Sequence, residues 1–128
     1  MVAQRVVVMA KTVLAIDDSL TVRELVSFVL TNAGYLVVLA QDGIEGLDQL
    51  KRCTPDVVIT DVNMPRLDGL SFIERARAET KCSAPILVLT TESDAEKKTR
   101  ARNAGATGWI VKPFNPTQLL EAVRRVCP

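Results

Sequence analysis

The sequence predicts an α/β domain built on a doubly wound, five-stranded parallel sheet with the strand order 2-1-3-4-5. Five short apolar runs, rich in β-branched residues, alternate along the chain with segments whose apolar residues recur at helical spacing. Such runs are typical of strands buried on both faces of a parallel sheet, and the alternation indicates repeated strand–helix units. Right-handed crossovers leave few topologies for this pattern, and the order given is one of the two common doubly wound arrangements.

The boundaries of the elements are marked by residues with known positional preferences. Each helix is predicted to begin after a residue or pair that favours helix starts, and Gly34 is predicted to end the first helix. These starts are Ser19, Asp42, Asp68–Gly69, Ser93 or Asp94, and Asn115–Pro116. The predicted strands are 12–16, 35–40, a run from Pro55 to Asp61, 86–89 and 107–111.

Length and charge exclude several classes of protein. The chain has 128 residues, which suits one domain, and its 16 basic residues nearly balance 15 acidic ones. This balance argues against a general nucleic-acid or membrane-surface binder, which usually carries a clear basic excess. No apolar run approaches the ~20 residues of a membrane span. We expect residues 1–10 to form a poorly ordered extension and 11–128 to form the folded domain, with no output domain after it.

Cysteine and histidine usage narrows the chemistry further. Cys53, Cys82 and Cys127 lie far apart in sequence, and the chain contains no histidine. The pattern argues against a structural zinc site and removes Ser-His and Cys-His nucleophile pairs from consideration. It suits reduced thiols in the cytoplasm.

Carboxylates follow two of the predicted strands. Asp17 and Asp18 come directly after the first strand, and Asp61 ends the third. In the predicted order these strands are neighbours, about 4.8 Å apart, so the carboxylates repel one another unless a cation lies among them. Hard oxygen ligands in a small site suit Mg²⁺. The alternative is that Asp17 or Asp18 merely caps the first helix.

Two further strand ends carry groups that suit an anion. Thr90 ends the fourth strand, and Lys112 follows the fifth, about two strand spacings or ~10 Å from Asp61. The lysine side chain can cross much of that distance, favour an ionised Asp61 and pair with an added anion, to which the Thr90 hydroxyl can also donate. The whole set suits a carboxylate that accepts a phosphoryl group beside a metal ion.

In these features the sequence resembles the receiver domain of response regulators, and in particular CheY-like single-domain members. The matching segments span about residues 11–126, and their order and spacing are highly specific although each alone is weak. The resemblance implies a flavodoxin-like (CheY-like) (βα)5 fold. The segments are Ile16-Asp17-Asp18-Ser19, Asp61 with Met64-Pro65 and Asp68-Gly69, Leu89-Thr90, Gly105-Ala106 and Lys112-Pro113-Phe114.

The resemblance also implies a role for each acidic residue. Asp61 is expected to be the phosphoacceptor and, with Asp18, to bind Mg²⁺ directly. Asp17 is expected to act largely through water, and Asn63 through its backbone carbonyl. Such proteins are not enzymes toward external substrates; they catalyse their own phosphorylation and dephosphorylation.

A second group of residues is implied in switching. Lys112 is expected to contact the phosphoryl oxygens and Thr90 to reach toward them after phosphorylation, and the Lys112–Pro113 bond is expected to be cis. Trp109 stands at the position of the family's switch aromatic, where tyrosine or phenylalanine is more usual; it is either a switch or a half-exposed packing residue. The basic residues of the fourth helix are either a solvated face or part of an output face with the fifth strand and fifth helix: Lys97, Lys98, Arg100 and Arg102.

The function predicted from these features is that of a stand-alone receiver in a two-component phosphorelay. Its expected partners are a histidine kinase or histidine phosphotransfer protein and a downstream output protein, with neither nucleic acid nor membrane. The segment from Ser19 to Arg23 resembles chemotaxis and motility receivers. Alternatives are a relay intermediate or phosphate sink, a degenerate receiver that only binds partners, and an aspartyl-phosphate phosphohydrolase. The last usually has an aspartate two residues after the nucleophile, where this chain has Asn63.

Overall fold

A computed structural model describes residues 10–91 and 95–128. Within these residues, strands and helices alternate without exception. The strands are β1 (Thr12–Ile16), β2 (Leu36–Ala40), β3 (Val57–Asp61), β4 (Ile86–Thr90) and β5 (Gly108–Val111). The helices are α1 (Leu20–Asn32), α2 (Gly43–Arg52), α3 (Gly69–Glu79), α4 (Ala95–Ala104) and α5 (Pro116–Val126).

The strands form one parallel sheet in the order β2-β1-β3-β4-β5, which confirms the predicted topology. The two central pairings set the register at the carboxyl edge. Ile16 pairs with Thr60, so the next residues along β1 and β3, Asp17 and Asp61, emerge side by side. On the other side, Thr90 of β4 pairs with Val111 of β5, and Lys112 follows at once.

The sheet separates two apolar layers. Alternate residues of the central strands point to opposite faces, so that Val13 and Ala15 join one layer while Leu14 and Ile16 join the other. Helices α1 and α5 cover the first layer, and α2, α3 and α4 cover the second. Burial on both faces explains why β3 and β4 are continuous apolar runs until each reaches its polar carboxyl end.

Side-chain caps define the predicted helix starts. Ser19, Asp42, Asp68 and Asn115 each accept a hydrogen bond from a backbone N–H in the first turn of the helix that follows. Gly34 has a φ of +96°, the left-handed conformation that ends a helix and is costly for residues with a Cβ. The predicted cap of α4, Ser93 or Asp94, lies outside the described residues, as does all but the last residue of the predicted 1–10 extension.

Several local predictions differ from the structure. The third strand was predicted to run from Pro55, but β3 begins at Val57. Tyr35 was predicted to start β2, but its N–H donates to the Leu30 carbonyl at 3.0 Å, in the turn that closes α1. Thr107 lies just before β5, although its N–H still donates to the Ile86 carbonyl at 2.8 Å. The helical spacing of Leu25 with Val22 and Val29 predicts that Leu25 lies on the buried apolar stripe of α1, yet it is 37% exposed, because it lies at the edge of that stripe beside Phe114.

The sequence argues against a membrane span and a structural zinc site, and the described residues bear on both features. None of the helices in 10–91 and 95–128 has the length and apolar character that crossing a bilayer requires. Cys53, Cys82 and Cys127 are free thiols, and burial raises the pKa of the Cys53 thiol, which keeps it protonated.

Candidate functional site

The polar strand ends meet at the carboxyl edge of the sheet. Asp17 directly follows β1 and Asp61 ends β3, and both are buried. Thr90 ends β4 and is also buried, and Lys112 follows β5 with its side chain 19% exposed. Parallel strands place their carboxyl ends together, which is why residues from distant parts of the sequence share this edge.

An acidic cluster forms the centre of this edge. Carboxylate oxygens of Asp17, Asp18 and Asp61 all lie within 4.8 Å of one another. Asp17 and Asp61 are buried, whereas Asp18 is exposed at the rim. The buried members fix the position of the cluster, and the exposed member leaves it open to solvent and to an incoming ligand.

Lys112 is the cation that faces this cluster. Its Nζ lies 3.0 Å from Asp17 Oδ2 and 3.4 Å from Asp61 Oδ1. Burial by itself lowers the pKa of Lys112, but the hydrogen bond to Asp17 and the attraction of both carboxylates outweigh it and raise the pKa. Lys112 is therefore charged at neutral pH, and one ammonium offsets only part of the charge of three carboxylates.

The surroundings of Asp61 disfavour its negative charge. Burial raises its pKa, and repulsion from Asp17 adds to the effect, whereas Lys112 and a hydrogen bond from the Val62 N–H lower it; the pKa is raised overall. Its Oδ1 accepts from Val62 N at 2.8 Å and faces Lys112. Oδ2 accepts no hydrogen bond from any of the described residues, and it is the oxygen of Asp61 available to a ligand.

Asp17 is held in place by contacts on each oxygen. Oδ1 accepts from the Ser19 N–H at 2.9 Å, and Oδ2 accepts from Lys112. The Asp17 carbonyl oxygen also accepts from Arg23 Nη1 at 2.7 Å. The capping alternative raised by the sequence is resolved in favour of Ser19, whose side chain caps α1, while Asp17 braces the turn before the helix.

The donor set fits a hard divalent cation. Carboxylate oxygens are the ligands that Mg²⁺ prefers, and an open site that keeps several waters matches its coordination habits. A cation among Asp17, Asp18 and Asp61 would relieve the repulsion that raises the pKa of Asp61. Asn63, the remaining predicted ligand, lies exposed in the turn between β3 and α3, two residues beyond Asp61.

Trp109 lies beside the site on the α4 side. Its half-buried ring packs against the layer under α2, α3 and α4, with Lys98 Nζ 4.8 Å and the Arg102 guanidinium 5.3 Å from the ring centroid. Trp109, Thr90 and Lys97 line one narrow crevice of about 10 Å³. That volume is far below the size of an indole, so inward rotation of the ring requires Thr90 or α4 to move.

Two features near the site were missed in the sequence analysis. Arg23 contacts the Asp17 carbonyl, and its place one turn into α1 was the available indication. Arg66 forms a two-point ion pair with Asp42, at 2.8 and 3.0 Å. No local pattern marks this pair, because its members are 24 residues apart and belong to different loops.

Comparison with known proteins identifies the family of the domain. The family model described as "Response regulator receiver domain" matches residues 13–124. Among curated proteins, the response regulator MprA of Mycobacterium leprae is 41% identical over 112 residues, which cover 88% of this chain and 49% of the relative. The chain thus spans about half the length of the curated relatives it matches.

Solved structures give a similar picture at greater coverage. The chemotaxis response regulator CheY4 of Vibrio cholerae superposes with a TM-score of 0.88 and 46% identity, covering 92% of this chain and 99% of the other. A signal receiver domain of a histidine kinase from Syntrophus aciditrophicus has a TM-score of 0.83 and 30% identity, covering 91% and 89%. In each case the shared region covers more than nine tenths of this chain.

Proposed function

Because the chain belongs to the response regulator receiver domain family, we propose that it receives a phosphoryl group on Asp61 from a histidine kinase or histidine phosphotransfer protein. The observation that carries the proposal is the ion-paired cluster at the sheet edge, where Lys112 bridges Asp17 and Asp61. The free Oδ2 of Asp61 is the nucleophile. As its bond to phosphorus forms, the phosphorus–nitrogen bond of the donor phosphohistidine breaks, and the electron pair leaves with the imidazole.

The neighbouring residues orient the transfer and balance its charge. Bound Mg²⁺ would shield the incoming phosphoryl oxygens from the carboxylates. Asp18 and Asp61 would hold it directly, Asn63 would do so through its backbone carbonyl, and Asp17 would do so largely through water. This indirect role for Asp17 is supported by the contacts that already occupy both of its oxygens. Lys112 pairs with a phosphoryl oxygen as the group is transferred to Asp61. This pairing requires the Lys112 ammonium to give up part of its present contact with the Asp61 carboxylate.

Phosphorylation then changes the preferred arrangement of the loops. The doubly charged phosphoryl group offers acceptor oxygens to Lys112 and Thr90. Movement of Thr90 toward it enlarges the crevice that Thr90 shares with Trp109. Differential contact of this kind shifts an equilibrium between two states, and a coupling of about 1–3 kcal/mol suffices to change partner affinity severalfold or more.

The output surface in this proposal consists of α4, β5 and α5. Helix α4 carries Lys97, Lys98, Arg100 and Arg102 against one acidic residue, Glu96, and buries only Ala101 among its described residues. Lys98 and Arg102 contact Trp109, so the ring links the basic helix to the strand that leads to Lys112. A partner bound to this face would sense a displacement of α4.

The pathway is the part of the proposal that rests on relatives. The likeness to CheY4, described as a chemotaxis response regulator, favours a cytoplasmic role in chemotaxis or motility with the receiver acting alone. The longer MprA relatives favour a receiver that works joined to a further domain. A relay intermediate or phosphate sink uses the same site and differs only in the partner that receives the signal or the phosphoryl group.

The first test is intact-mass spectrometry with acetyl phosphate and Mg²⁺. The wild-type protein is expected to gain one phosphoryl group, and EDTA is expected to prevent the gain. Asp61→Asn should show none, whereas Asp48→Asn, at an exposed aspartate on α2, should behave as the wild type. Equal labelling of Asp61→Asn would refute the assignment of the phosphoacceptor. No labelling of the wild type, together with no beryllofluoride complex by Trp109 fluorescence, would indicate a degenerate receiver.

A further inference from the structure

The turn between β3 and α3, residues 62–68, is tied to the start of α2 by an ion pair that the proposed chemistry does not use. Arg66 Nε donates to Asp42 Oδ2 at 2.8 Å, and Arg66 Nη2 donates to Asp42 Oδ1 at 3.0 Å. The Asp42 carboxylate is 6% exposed, whereas the Arg66 side chain is 56% exposed. A fork-to-fork contact with one buried partner restricts geometry far more than a single surface contact does.

Backbone contacts hold the same turn at two further points. The Gly43 N–H, at the start of α2, donates to the Leu67 carbonyl at 3.3 Å, and the Gly69 N–H donates to the Val62 carbonyl at 2.8 Å. A Cβ at Gly43 would lie 2.6 Å from the Leu67 oxygen, so the close approach requires glycine. The Gly69–Val62 hydrogen bond therefore joins the two ends of the turn, and the Gly43–Leu67 hydrogen bond fixes it to α2. Residues 63–65 lie between Val62 and the residues that contact α2.

Arg66 occupies a backbone conformation that favours glycine. Its φ is +68°, in the left-handed region that a residue with a Cβ seldom adopts. The backbone there does not explain the choice of arginine, but the ion pair does, since a long forked cation reaches both oxygens of Asp42 from this point. The guanidinium also lowers the pKa of Asp42, which keeps that carboxyl ionised and the pair intact.

The Arg66–Asp42 ion pair is not needed to stabilise the start of α2. Asp42 Oδ1 already accepts from the Glu45 N–H at 2.8 Å and caps α2 without Arg66. What Arg66 adds, beside the Gly43–Leu67 hydrogen bond, is a second tie between the start of α2 and the turn that carries Asn63. Asn63 lies only three positions before Arg66, so the pair restricts where the Asn63 carbonyl can point.

We infer that Arg66 is a positioning residue that, through Asp42, orients the β3–α3 turn so that the Asn63 carbonyl faces the carboxylates of Asp17, Asp18 and Asp61. This inference rests on the proposed function, because it concerns the Mg²⁺ site of that function. Arg66 touches neither the cation nor the phosphoryl group. Its effect is on the affinity for the metal ion and, through it, on phosphoryl transfer.

The test is calorimetric titration of the metal-free protein with magnesium chloride. Arg66→Ala is expected to weaken Mg²⁺ binding by about 10-fold, the lower end of the effect found when groups that orient metal ligands are removed. Asp42→Asn should weaken it similarly, because asparagine keeps the helix cap but loses the charge. The double variant should bind Mg²⁺ about as tightly as the single variant with the lower affinity, because both substitutions remove the same Arg66–Asp42 ion pair.

Matched variants separate orientation from a general loss of charge or stability. Arg75→Ala removes an exposed ion pair with Glu79 on α3, away from the turn, and should leave Mg²⁺ affinity unchanged. Arg66→Lys keeps the charge but loses the fork and should restore part of the affinity. Arg66→Gly removes the side chain while suiting the positive φ, so it remains folded and informative if Arg66→Ala does not.

The outcomes distinguish the inference from the function beneath it. A wild-type protein that binds no Mg²⁺ overturns both. A wild type that binds Mg²⁺, with folded Arg66→Ala or Arg66→Gly binding it equally well, overturns the inference alone and leaves the proposed function standing. A ten-fold loss in the arginine variants with unchanged binding by Arg75→Ala supports the inference.

Discussion

Asp61 combines burial with a proposed chemical task that requires its charge. The proposed role as nucleophile requires the ionised carboxylate, yet the pKa of Asp61 is raised by burial and by repulsion from Asp17, with Lys112 opposing the shift. The charge of Asp61 at neutral pH therefore costs free energy in the folded chain that it does not cost in the unfolded chain. A functional carboxylate of this kind lowers stability until a cation or a phosphoryl group changes its surroundings.

Asp61→Asn should accordingly stabilise the protein in the absence of divalent cations. We expect a gain of roughly 1 kcal/mol in the free energy of unfolding at pH 7, because the substitution removes one of several like charges at close range. Above the folded-state pKa of Asp61, the group is ionised in both states and the full cost applies. Below the usual value of 3.8, it is protonated in both states and the difference between variant and wild type vanishes.

Urea unfolding of both proteins across pH tests this expectation. The gain should be largest at neutral pH and fade as the pH falls through the raised pKa of Asp61. Asp48→Asn, at an exposed aspartate, serves as the control and should change stability little at any pH. A destabilised Asp61→Asn at neutral pH would show that the contacts of Asp61 with Lys112 and Val62 outweigh its burial.

The capped helix starts determine where each helix stands relative to the site. Helix α5 has the most complete cap: the Asn115 side chain accepts from Gln118 N at 2.8 Å, and the Gln118 side chain accepts from Asn115 N at 3.0 Å. Pro116 at the first helical position adds a pre-set φ. The segment from Lys112 to Asn115 is thus held between β5 and a well-defined helix start.

Loss of this cap should cost stability without touching the chemistry. Asn115→Ala is expected to lower the free energy of unfolding by about 1 kcal/mol, since it leaves first-turn N–H groups without their partner. Asn115→Ser, which retains an acceptor, should lose much less, and Asn32→Ala at the end of α1 should stay within about 0.5 kcal/mol of the wild type. Urea unfolding gives the values; a large change in Mg²⁺ affinity for Asn115→Ala would mean that the cap also positions Lys112.

At the scale of the whole molecule, the parallel sheet concentrates negative charge at its carboxyl edge. Carboxylates from β1 and β3 meet at one edge, while the overall formal charge is only +1. The fold tolerates this concentration of negative charge because Lys112, which follows the edge strand β5, partly neutralises it. A divalent cation bound at this edge would link elements that are distant in sequence, so it should stabilise the folded state as a unit.

Thermal unfolding with Mg²⁺ tests this coupling. Magnesium chloride at about ten times its dissociation constant should raise the Tm of the wild type by roughly 3–6 °C relative to sodium chloride of equal ionic strength. Asp18→Asn and Asp61→Asn should lose most of that rise, and Asp48→Asn should keep it. A rise of the same size in all variants would place the binding of Mg²⁺ elsewhere on the protein.

Local chemistry explains how much of this protein was predictable from its sequence. Ser19, Asp42, Asp68 and Asn115 mark helix starts through hydrogen bonds to residues three positions away, and apolar periodicity distinguishes strand from helix within a few residues. The strand order followed from general rules of connection. The convergence of Asp17, Asp61, Thr90 and Lys112 followed in turn, because carboxyl ends of parallel strands share an edge.

What remained open depended on distances between segments far apart in the chain. The sequence could not show that Lys112 bridges Asp17 and Asp61, or that Leu25 lies at the edge of its stripe. Nor did it indicate the pairing of Arg66 with Asp42. Caps and periodicity are properties of a few neighbouring residues, whereas ion pairs and partial burial depend on how complete elements pack, which no local pattern encodes.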